Sequence, residues 1–321
     1  MSPMSMYACK DGSGLVQDWH RIHYPARAVG GVGLIILEST AVNKQGRMSP
    51  TDLGIWEDGH IEGLRGLVNL IKGQGAAAGI QLNHAGRKAK LEEPIVAPSA
   101  IPFSKGGKVP EEMTKEQITQ VVESFRQSAR RSKEAGFDIV EIHAAHGYLL
   151  HEFLSPLTNR RTDKYGDSPE NRFRLLKEIV EAVQSEWEGP LFVRISATDQ
   201  AKGGNTIEDS IVYAQWLKEL KVDLIDVSNG LLTPEKGKVF PGYQVSYAES
   251  IRKEVKISTG AVGKIIQPEQ AEEIISNERA DLVFIGRELL TNPHWAYYAA
   301  KRLNHALELP DQYSWSWIKT L

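Results

Sequence analysis

The chain has 321 residues, of which 41% are hydrophobic and 25% charged, and its formal net charge at pH 7 is −3. This composition is typical of a folded globular enzyme and argues against disorder, and the near-neutral charge gives no reason to expect nucleic acid or an anionic membrane as a partner. The single cysteine, Cys9, excludes an internal disulfide and a four-thiolate metal site, and we find neither a long apolar run nor a charged-then-apolar leader, so we expect a cytoplasmic protein that does not span a membrane.

Seven short apolar or β-branched runs recur along the chain, and each is nearly continuous in its hydrophobicity. Such runs are typical of parallel strands that are buried on both faces. The predicted strands are residues 33–38, 79–82, 139–143, 191–195, 224–227, 256–259 and 282–285.

Helical segments separate these runs. Ser168 followed by Pro169 is a typical helix start, with a capping hydroxyl and a proline at the first helical position, and Thr114 before Lys115 is another. The predicted helices include residues 60–73, 115–135, 169–186, 207–220 and 268–277.

Strand–helix alternation over the whole length predicts a parallel α/β fold. Because no linker, repeat or low-complexity segment divides the chain, we expect one domain over residues 1–321, folded as a closed (β/α)8 TIM barrel rather than an open sheet. The eighth strand of such a barrel has only the extreme N-terminus left to it. Residues 1–6 are too short for a whole strand, so we predict a truncated first strand.

Polar residues follow the predicted strands at the point where each strand ends. In a (β/α)8 barrel, catalysis takes place at the carboxyl ends of the strands, so these residues are expected to ring one site. They include Ser39, Gln81, Asn83, His84, His143, Arg194, Ser196, Ser228, Asn229, Thr259 and Arg287.

The stretch from His143 to Tyr148 places two imidazoles and a phenol within six residues, directly after a predicted strand. Imidazole can donate to a carbonyl oxygen, and a phenol can deliver a proton. Two other interpretations stay open for His143 and His146. Together with His151 and Glu152 they could ligate zinc, although no His-Glu-x-x-His pattern is present, or they could form a structural hydrogen-bonding pair. Tyr148 alone is also compatible with packing.

The loops after the last two predicted strands carry Gly263, Gly286 and Arg287. In this fold these loops commonly hold a phosphate, because glycines allow the backbone to approach and an arginine adds a bidentate donor. The alternative is that the glycines only form tight turns.

Arg194 lies inside an apolar run and therefore needs an anionic partner. That partner could be Glu141 or Asp226, or a group that becomes negative, such as a reduced flavin. Gln81 and Ser39 could hydrogen-bond the pyrimidine edge of the same ring.

Together these motifs resemble the old yellow enzymes, which are FMN-dependent ene-reductases, and in particular their bacterial, thermophilic-like branch. The resemblance covers nearly the whole chain, and the motifs occur in the order found in that family. They are residues 2–7, 79–88, 143–148, 154–156, 159–161, 165–166, 168–172, 193–194, 260–263 and 286–289.

The resemblance implies an FMN held non-covalently at the carboxyl end of the barrel. Positions that match the family's isoalloxazine contacts are Pro3, Met4, Ser5, Ser39, Gln81 and Arg194, and those that match its phosphate contacts are Ser228, Gly230, Gly263, Gly286 and Arg287. Positions that match its substrate contacts are Tyr7, Lys88, His143 and His146, with Tyr148 as the proton donor.

The implied reaction is ping-pong. NADPH or NADH delivers hydride to flavin N5 and leaves, and an alkene conjugated to a carbonyl, nitro or similar group then accepts that hydride at its β-carbon. Tyr148 protonates the α-carbon from the opposite face. The implied partners are a small enone-type substrate and other copies of the chain, in a homodimer or homotetramer.

Three departures from that branch bear on these expectations. Ser5 stands where the branch has a cysteine near the flavin, so we expect an altered redox potential rather than loss of activity. Trp315 stands where the family has an arginine that reaches a neighbouring subunit, which puts shared active sites in question. The family also begins roughly twenty residues earlier, allowing for a first strand and a hairpin on the barrel floor. The alternative function is thus a truncated flavin-binding protein with little turnover.

Overall fold

A computed structural model describes residues 1–235, 237–308 and 310–313. In chain order its strands are β1 (Leu34–Ala41), β2 (Ala77–Asn83), β3 (Val96–Ala97), β4 (Glu111–Glu112), β5 (Ile139–Ala144), β6 (Leu191–Ser196), β7 (Leu224–Ser228), β8 (Ser258–Ala261) and β9 (Leu282–Val283). The main sheet has seven strands, and every neighbouring pair is parallel. Their order is β1, β2, β5, β6, β7, β8 and β9. β3 and β4 form a separate two-stranded ribbon. The predicted parallel α/β architecture is confirmed.

Helices follow the strands of the main sheet, and neighbouring helices pack on one another. They are α1 (Asp18–Val29), α2 (Ile61–Lys72), α3 (Lys115–Ala135), α4 (Leu149–Leu154), α5 (Pro169–Gln184), α6 (Ile207–Glu219), α7 (Val245–Val255), α8 (Pro268–Ser276), α9 (Arg287–Thr291) and α10 (Trp295–Arg302). Both predicted caps are present: the Thr114 hydroxyl accepts from the amide of Gln117 (3.2 Å), and the Ser168 hydroxyl accepts from that of Asn171 (3.3 Å). Within the described ranges, no helix combines the length and the apolar character needed to cross a bilayer.

Several elements differ from the sequence prediction, since helices α1, α4, α7, α9 and α10 and strands β3 and β4 were not among the predicted elements and one predicted strand is shifted. α1 was not predicted, because it contains Pro25 and buries the polar side chains of His20 and His23, which hide its apolar face. The strand predicted over residues 256–259 was placed too early. Lys256 ends α7 with a left-handed φ of 59°, so the strand begins only at Ser258.

The first two residues lie between the two edges of the main sheet. The amino group of Met1 donates to the carbonyl of Leu34, and the carbonyl of Met1 accepts from the amide of Ile36 (3.2 Å) in β1. On the other side, the amide of Ser2 donates to the carbonyl of Ile285 (3.0 Å), just past β9. This short segment therefore joins β9 to β1. Beside it is an apolar cavity of about 410 Å³.

A layer of apolar side chains plugs the interior of the barrel. Ile36 of β1, Phe192 of β6, Leu224 of β7 and Phe284, which directly follows β9, are buried against one another. A larger core lies between the strands and the surrounding helices. Polar groups at the carboxyl ends of the strands therefore stand over an apolar floor.

Candidate active site

A cavity of about 510 Å³ opens at the carboxyl ends of the strands. Most of the sequence-predicted site residues line it: Pro3, Met4, Ser5, Tyr7, Ser39, Gln81, His143, His146, Tyr148, Arg194, Ser228, Gly263, Gly286 and Arg287. Two others lie outside its wall. The carbonyl of Gly230 accepts from the hydroxyl of Ser196 (3.0 Å), and Lys88 approaches the site from behind.

Strand register brings the polar residues together. Ser39 of β1 pairs with Gln81 of β2, and His143 of β5 pairs with Arg194 of β6. Because paired residues of parallel strands lie level and side by side, groups far apart in sequence meet at one end of the barrel. The rule of strand ends therefore brings these predicted residues together at one cavity.

His143 is held as a neutral hydrogen-bond donor. Its Nδ1 accepts from the amide of Ala145 (3.3 Å), so the ring proton is carried on Nε2. Burial, helped by the charge of Arg194, holds the pKa of His143 well below its usual value. The ring centroid of His143 is 5.0 Å from that of His146 and 5.0 Å from that of Tyr148. The three rings thus form one cluster.

His146 lies in a tight turn from Ala145 to Tyr148. The amide of Tyr148 donates to the carbonyl of Ala145 (3.2 Å), and both central residues are left-handed, with φ of 59° at His146 and 69° at Gly147. Positive φ at both central positions is the signature of a type I′ turn, in which a non-glycine residue is unusual. The amide of His146 donates to the Ser196 hydroxyl (3.0 Å), and its Nε2 hydrogen-bonds the hydroxyl of Ser228.

Tyr148 is a protonated phenol at neutral pH. Burial raises its pKa above the ordinary value, since a phenolate is poorly solvated there. Lys88 lies 5.0 Å from the centre of the Tyr148 ring and donates to the backbone carbonyls of His146 (2.8 Å) and Leu231 (3.2 Å). Burial lowers the pKa of Lys88 to about 8. Lys88 therefore holds the turn from outside the cavity.

A buried carboxylate anchors the N-terminal segment that carries Tyr7. The amide of Met6 donates to Oε2 of Glu38 (2.7 Å), while Oε1 accepts from the Tyr24 hydroxyl (3.1 Å) and lies 3.2 Å from Nε2 of His20. Tyr7 is at the rim, 48% exposed and with a φ of 53°. The sequence places Glu38 beside Ser39 among the polar residues of the first strand, but it does not reveal this anchoring role, because a single glutamate has no spacing that shows its target.

Arg194 pairs with Asp226, one of its two predicted protein partners. Its Nε lies 3.1 Å from Oδ2 of Asp226. The other candidate, Glu141, accepts instead from Nε2 of Gln81 (2.7 Å). Burial, together with the nearby charge of Asp226, raises the pKa of Glu141, and burial also raises that of Asp226.

The other two side chains of the zinc interpretation are directed elsewhere. His151 lies between the amide of Gly147 and the carboxylate of Asp199. Glu152 accepts from the amide of Arg87 (2.9 Å). Neither is directed at the rings of the histidine pair.

The cavity fits an FMN. At one end, Nδ2 of Asn229 is buried and has no hydrogen-bond partner within the described residues, and the ion-paired Arg194 also lines the cavity. At the other end, Gly263 has a φ of 133°, and a Cβ there would lie 3.1 Å from Oε1 of Gln244, so only glycine leaves this cradle open. The neighbouring Gly286 and Arg287 also line it. An unpaired amide donor and a guanidinium at one end suit the flavin ring, while glycines and an arginine at the other are placed for a phosphate.

Sequence reasoning missed one wall of the cavity. The connection between β7 and α7, residues 229–244, contributes Leu231, Tyr243 and Gln244, and Gln200 lies beside it. Connections of this length without regular structure are often functional, which was the one usable indication. The predicted replacement at Trp315 lies outside the described residues.

The sequence was compared with known families and proteins. The profile of the family described as NADH:flavin oxidoreductase / NADH oxidase matches residues 1–306. An NADPH dehydrogenase of Geobacillus sp. (strain WCH70) is 59% identical over 317 residues, which are 99% of this chain and 93% of that protein. Among solved structures, morphinone reductase superposes with a TM-score of 0.80 at 29% identity, covering 97% of this chain and 87% of that one. A 2-naphthoyl-CoA reductase complex gives 0.89 at 28% identity, covering 94% of this chain and 49% of that one.

Proposed function

Because the chain belongs to the NADH:flavin oxidoreductase / NADH oxidase family, we propose that this FMN-dependent oxidoreductase reduces activated carbon–carbon double bonds, using NADPH or NADH as the hydride source. The substrate class is an alkene conjugated to a carbonyl or nitro group. The observation that carries the proposal is the ring cluster of His143, His146 and Tyr148 on the cavity wall. This cluster places hydrogen-bond donors for the acceptor oxygen of the substrate next to a proton donor for its α-carbon.

His143 and His146 bind the acceptor oxygen of the substrate. The neutral Nε2–H of His143 can donate to that oxygen without bringing a formal charge into the cavity. His146 exchanges its contact with Ser228 for the same oxygen. Donors placed where negative charge develops lower the barrier more than donors that serve only ground-state binding.

Tyr148 supplies the proton for the α-carbon. Its raised pKa keeps the hydroxyl protonated at neutral pH, so the proton is present whenever substrate is bound. General acids of this kind typically contribute 10²–10⁴-fold to rate. Lys88, 5.0 Å from the ring centre, stabilises the negative charge left on the phenol.

Ser39, Gln81 and Arg194 would hold the ring of FMN, and Gly263, Gly286 and Arg287 its phosphate. Bound there, FMN supplies the carrier that accepts hydride from the nicotinamide and passes it to the alkene. The guanidinium of Arg194, which is paired with Asp226, lines the cavity where it would contact the flavin ring. One cavity of about 510 Å³ serves both substrates in turn, which favours a ping-pong order.

The half-reactions can be followed separately. Under anaerobic conditions, NADPH is expected to bleach the flavin absorbance, and 2-cyclohexenone is expected to restore it. Tyr148→Phe should slow the second step by about 10²-fold and spare the first. Tyr165→Phe is a matched control, since this hydroxyl donates to Glu178 (2.9 Å) outside the cavity wall.

A protein that NADPH reduces but that several enones fail to reoxidise would overturn the proposal. A colourless protein that FMN cannot reconstitute would instead support a flavin-binding protein with little turnover. Equal losses in both half-reactions of Tyr148→Phe would show that its assigned role is wrong. We also propose that the protein is cytoplasmic and forms a homodimer or homotetramer. Sedimentation of the purified holoprotein measures its oligomeric state.

A further inference from the structure

His151 lies directly behind the turn that carries His146 and Tyr148. It is only 1% exposed and sits on α4, the short helix that follows the turn. Its Nδ1 accepts from the amide of Gly147 (2.9 Å), and its Nε2 lies 2.8 Å from Oδ1 of Asp199. One imidazole thus links the backbone of the turn to a buried carboxylate.

These two contacts fix the tautomer of His151. A backbone N–H can only donate, so Nδ1 must present its lone pair, and the ring proton is on Nε2 and is donated to Asp199. Asp199 is itself held by the hydroxyl of Ser155 and by the amide of Asn205 (2.8 Å). Burial alone would raise the pKa of Asp199, but the hydrogen bonds and the His151 contact hold it below its usual value. The imidazole is therefore oriented by a fixed carboxylate.

The turn needs such support because its backbone is unfavourable. A histidine at φ 59° is rare, and such conformations persist only where the surroundings hold them in place. The amide of His146 is bound by Ser196 and its carbonyl by Lys88, while the amide of Gly147 is bound by His151. Each peptide group of the turn has its own partner.

We propose that His151, oriented by Asp199, is a positioning residue for alkene reduction, which keeps His146 and Tyr148 directed at the same substrate. The inference rests on the proposed function, because it assigns a role within that reaction. His151 lies outside the cavity wall and acts only through the Gly147 amide. A histidine whose hydrogen bonds only stabilise the fold would not position a turn of the active site in this way.

His60 is such a histidine and provides the matched control. It is also 1% exposed, and its two ring nitrogens lie 2.9 Å from the carbonyl of Glu57 and 3.1 Å from that of Ser13, at the start of α2. His60→Asn is expected to lower the melting temperature and to leave the flavin half-reactions unchanged.

Three variants of the holoenzyme separate positioning from packing. His151→Phe removes both hydrogen bonds, and Asp199→Asn removes the carboxylate with little change in volume. His151→Asn keeps an oxygen near the Nδ1 position as an acceptor for Gly147. We expect His151→Phe to slow reoxidation by 2-cyclohexenone at least tenfold and His151→Asn to restore most of that rate. Reduction by NADPH should change less than threefold.

A second readout needs no substrate. Hydrogen exchange at the Gly147 amide should become at least tenfold faster in His151→Phe and Asp199→Asn, and should stay near wild type in His60→Asn. If the Gly147 amide exchanges faster in His151→Phe but reoxidation by enone is unchanged, the positioning role is overturned. It is also overturned if His151→Asn restores slow exchange at Gly147 but not the rate of reoxidation. If His151→Phe does not fold, Asp199→Asn carries the same test. If wild type itself is not reoxidised by enones, the proposed function fails, whereas unchanged Gly147 exchange in the variants would refute the His151 contact alone.

Discussion

Gly147→Ala tests whether the turn between β5 and α4 depends on glycine. Gly147 has a φ of 69°, and a Cβ at this position would lie 2.6 Å from the carbonyl oxygen of Leu231 and 2.9 Å from Cα of Leu232. Both atoms belong to backbone, so no side-chain rotation relieves the clash. The substitution therefore strains this turn and pushes it away from the β7–α7 connection at the same time.

The magnitude follows from two contributions. A left-handed conformation costs a non-glycine residue about 1–2 kcal/mol, and steric overlap in a packed region costs a further 1–3 kcal/mol or so. The reduced entropy of the unfolded chain returns roughly 0.4–1 kcal/mol. We expect Gly147→Ala to lower the free energy of unfolding by about 2–4 kcal/mol.

Gly75→Ala isolates the strain from the clash. Gly75 has a φ of 87°, but a Cβ there would have no heavy atom within 4 Å. Its cost should be about 1 kcal/mol or less. Urea denaturation of both variants measures the difference, and flavin reoxidation by 2-cyclohexenone should slow only in Gly147→Ala. Equal destabilisation by the two variants would refute the steric argument.

Three further predictions concern the surroundings of the site. Lys88→Met should slow reoxidation by 2-cyclohexenone about tenfold, equivalent to ~1.4 kcal/mol. Stopped-flow kinetics measure this rate, and a loss of enone affinity with an unchanged rate would show that Lys88 contacts the substrate directly. Ser5→Cys should shift the midpoint potential of the bound flavin, and an unchanged potential in a spectroelectrochemical titration would contradict a role for this position. Burial raises the pKa of Glu152 from 4.5 to about 8, so the folded state keeps a proton that the unfolded state releases, and stability is lost as pH rises through that window. Glu152→Gln removes this contribution. Between pH 5 and 8, the free energy of unfolding of the variant minus that of wild type should therefore rise by up to ~1.4 kcal/mol per pH unit. A difference that does not change with pH would contradict the raised pKa of Glu152.

Much of the fold was predictable, because strands buried on both faces appear in the sequence as continuous apolar runs. All seven strands of the main sheet were located this way. α1 was not, since Pro25 and buried polar side chains such as His20 interrupt its apolar pattern. The resemblance to the old yellow enzymes, the enzyme class and the use of FMN with NADPH are confirmed by the comparisons.

The candidate site was predictable only where strand ends determine position. His143, Arg194 and Gln81 lie on strands, so register alone brings them together. Lys88 and Gly230 lie in connections, where the direction of a side chain or carbonyl depends on the whole backbone path, and their predicted roles stay predictions. Support from residues such as Glu38 leaves no pattern, because a single buried carboxylate has no characteristic spacing.

The N-terminal segment between β9 and β1 has a thermodynamic consequence. Met1 and Ser2 join β9 to β1, and Pro3, Met4, Ser5 and Tyr7, which follow them, form a wall of the active-site cavity. One continuous segment therefore belongs both to the seam of the barrel and to the binding site. Any ligand that binds this wall favours the closed seam, and by linkage closure of the seam raises affinity for that ligand by the same factor. Cofactor loading and the integrity of the barrel are therefore coupled equilibria.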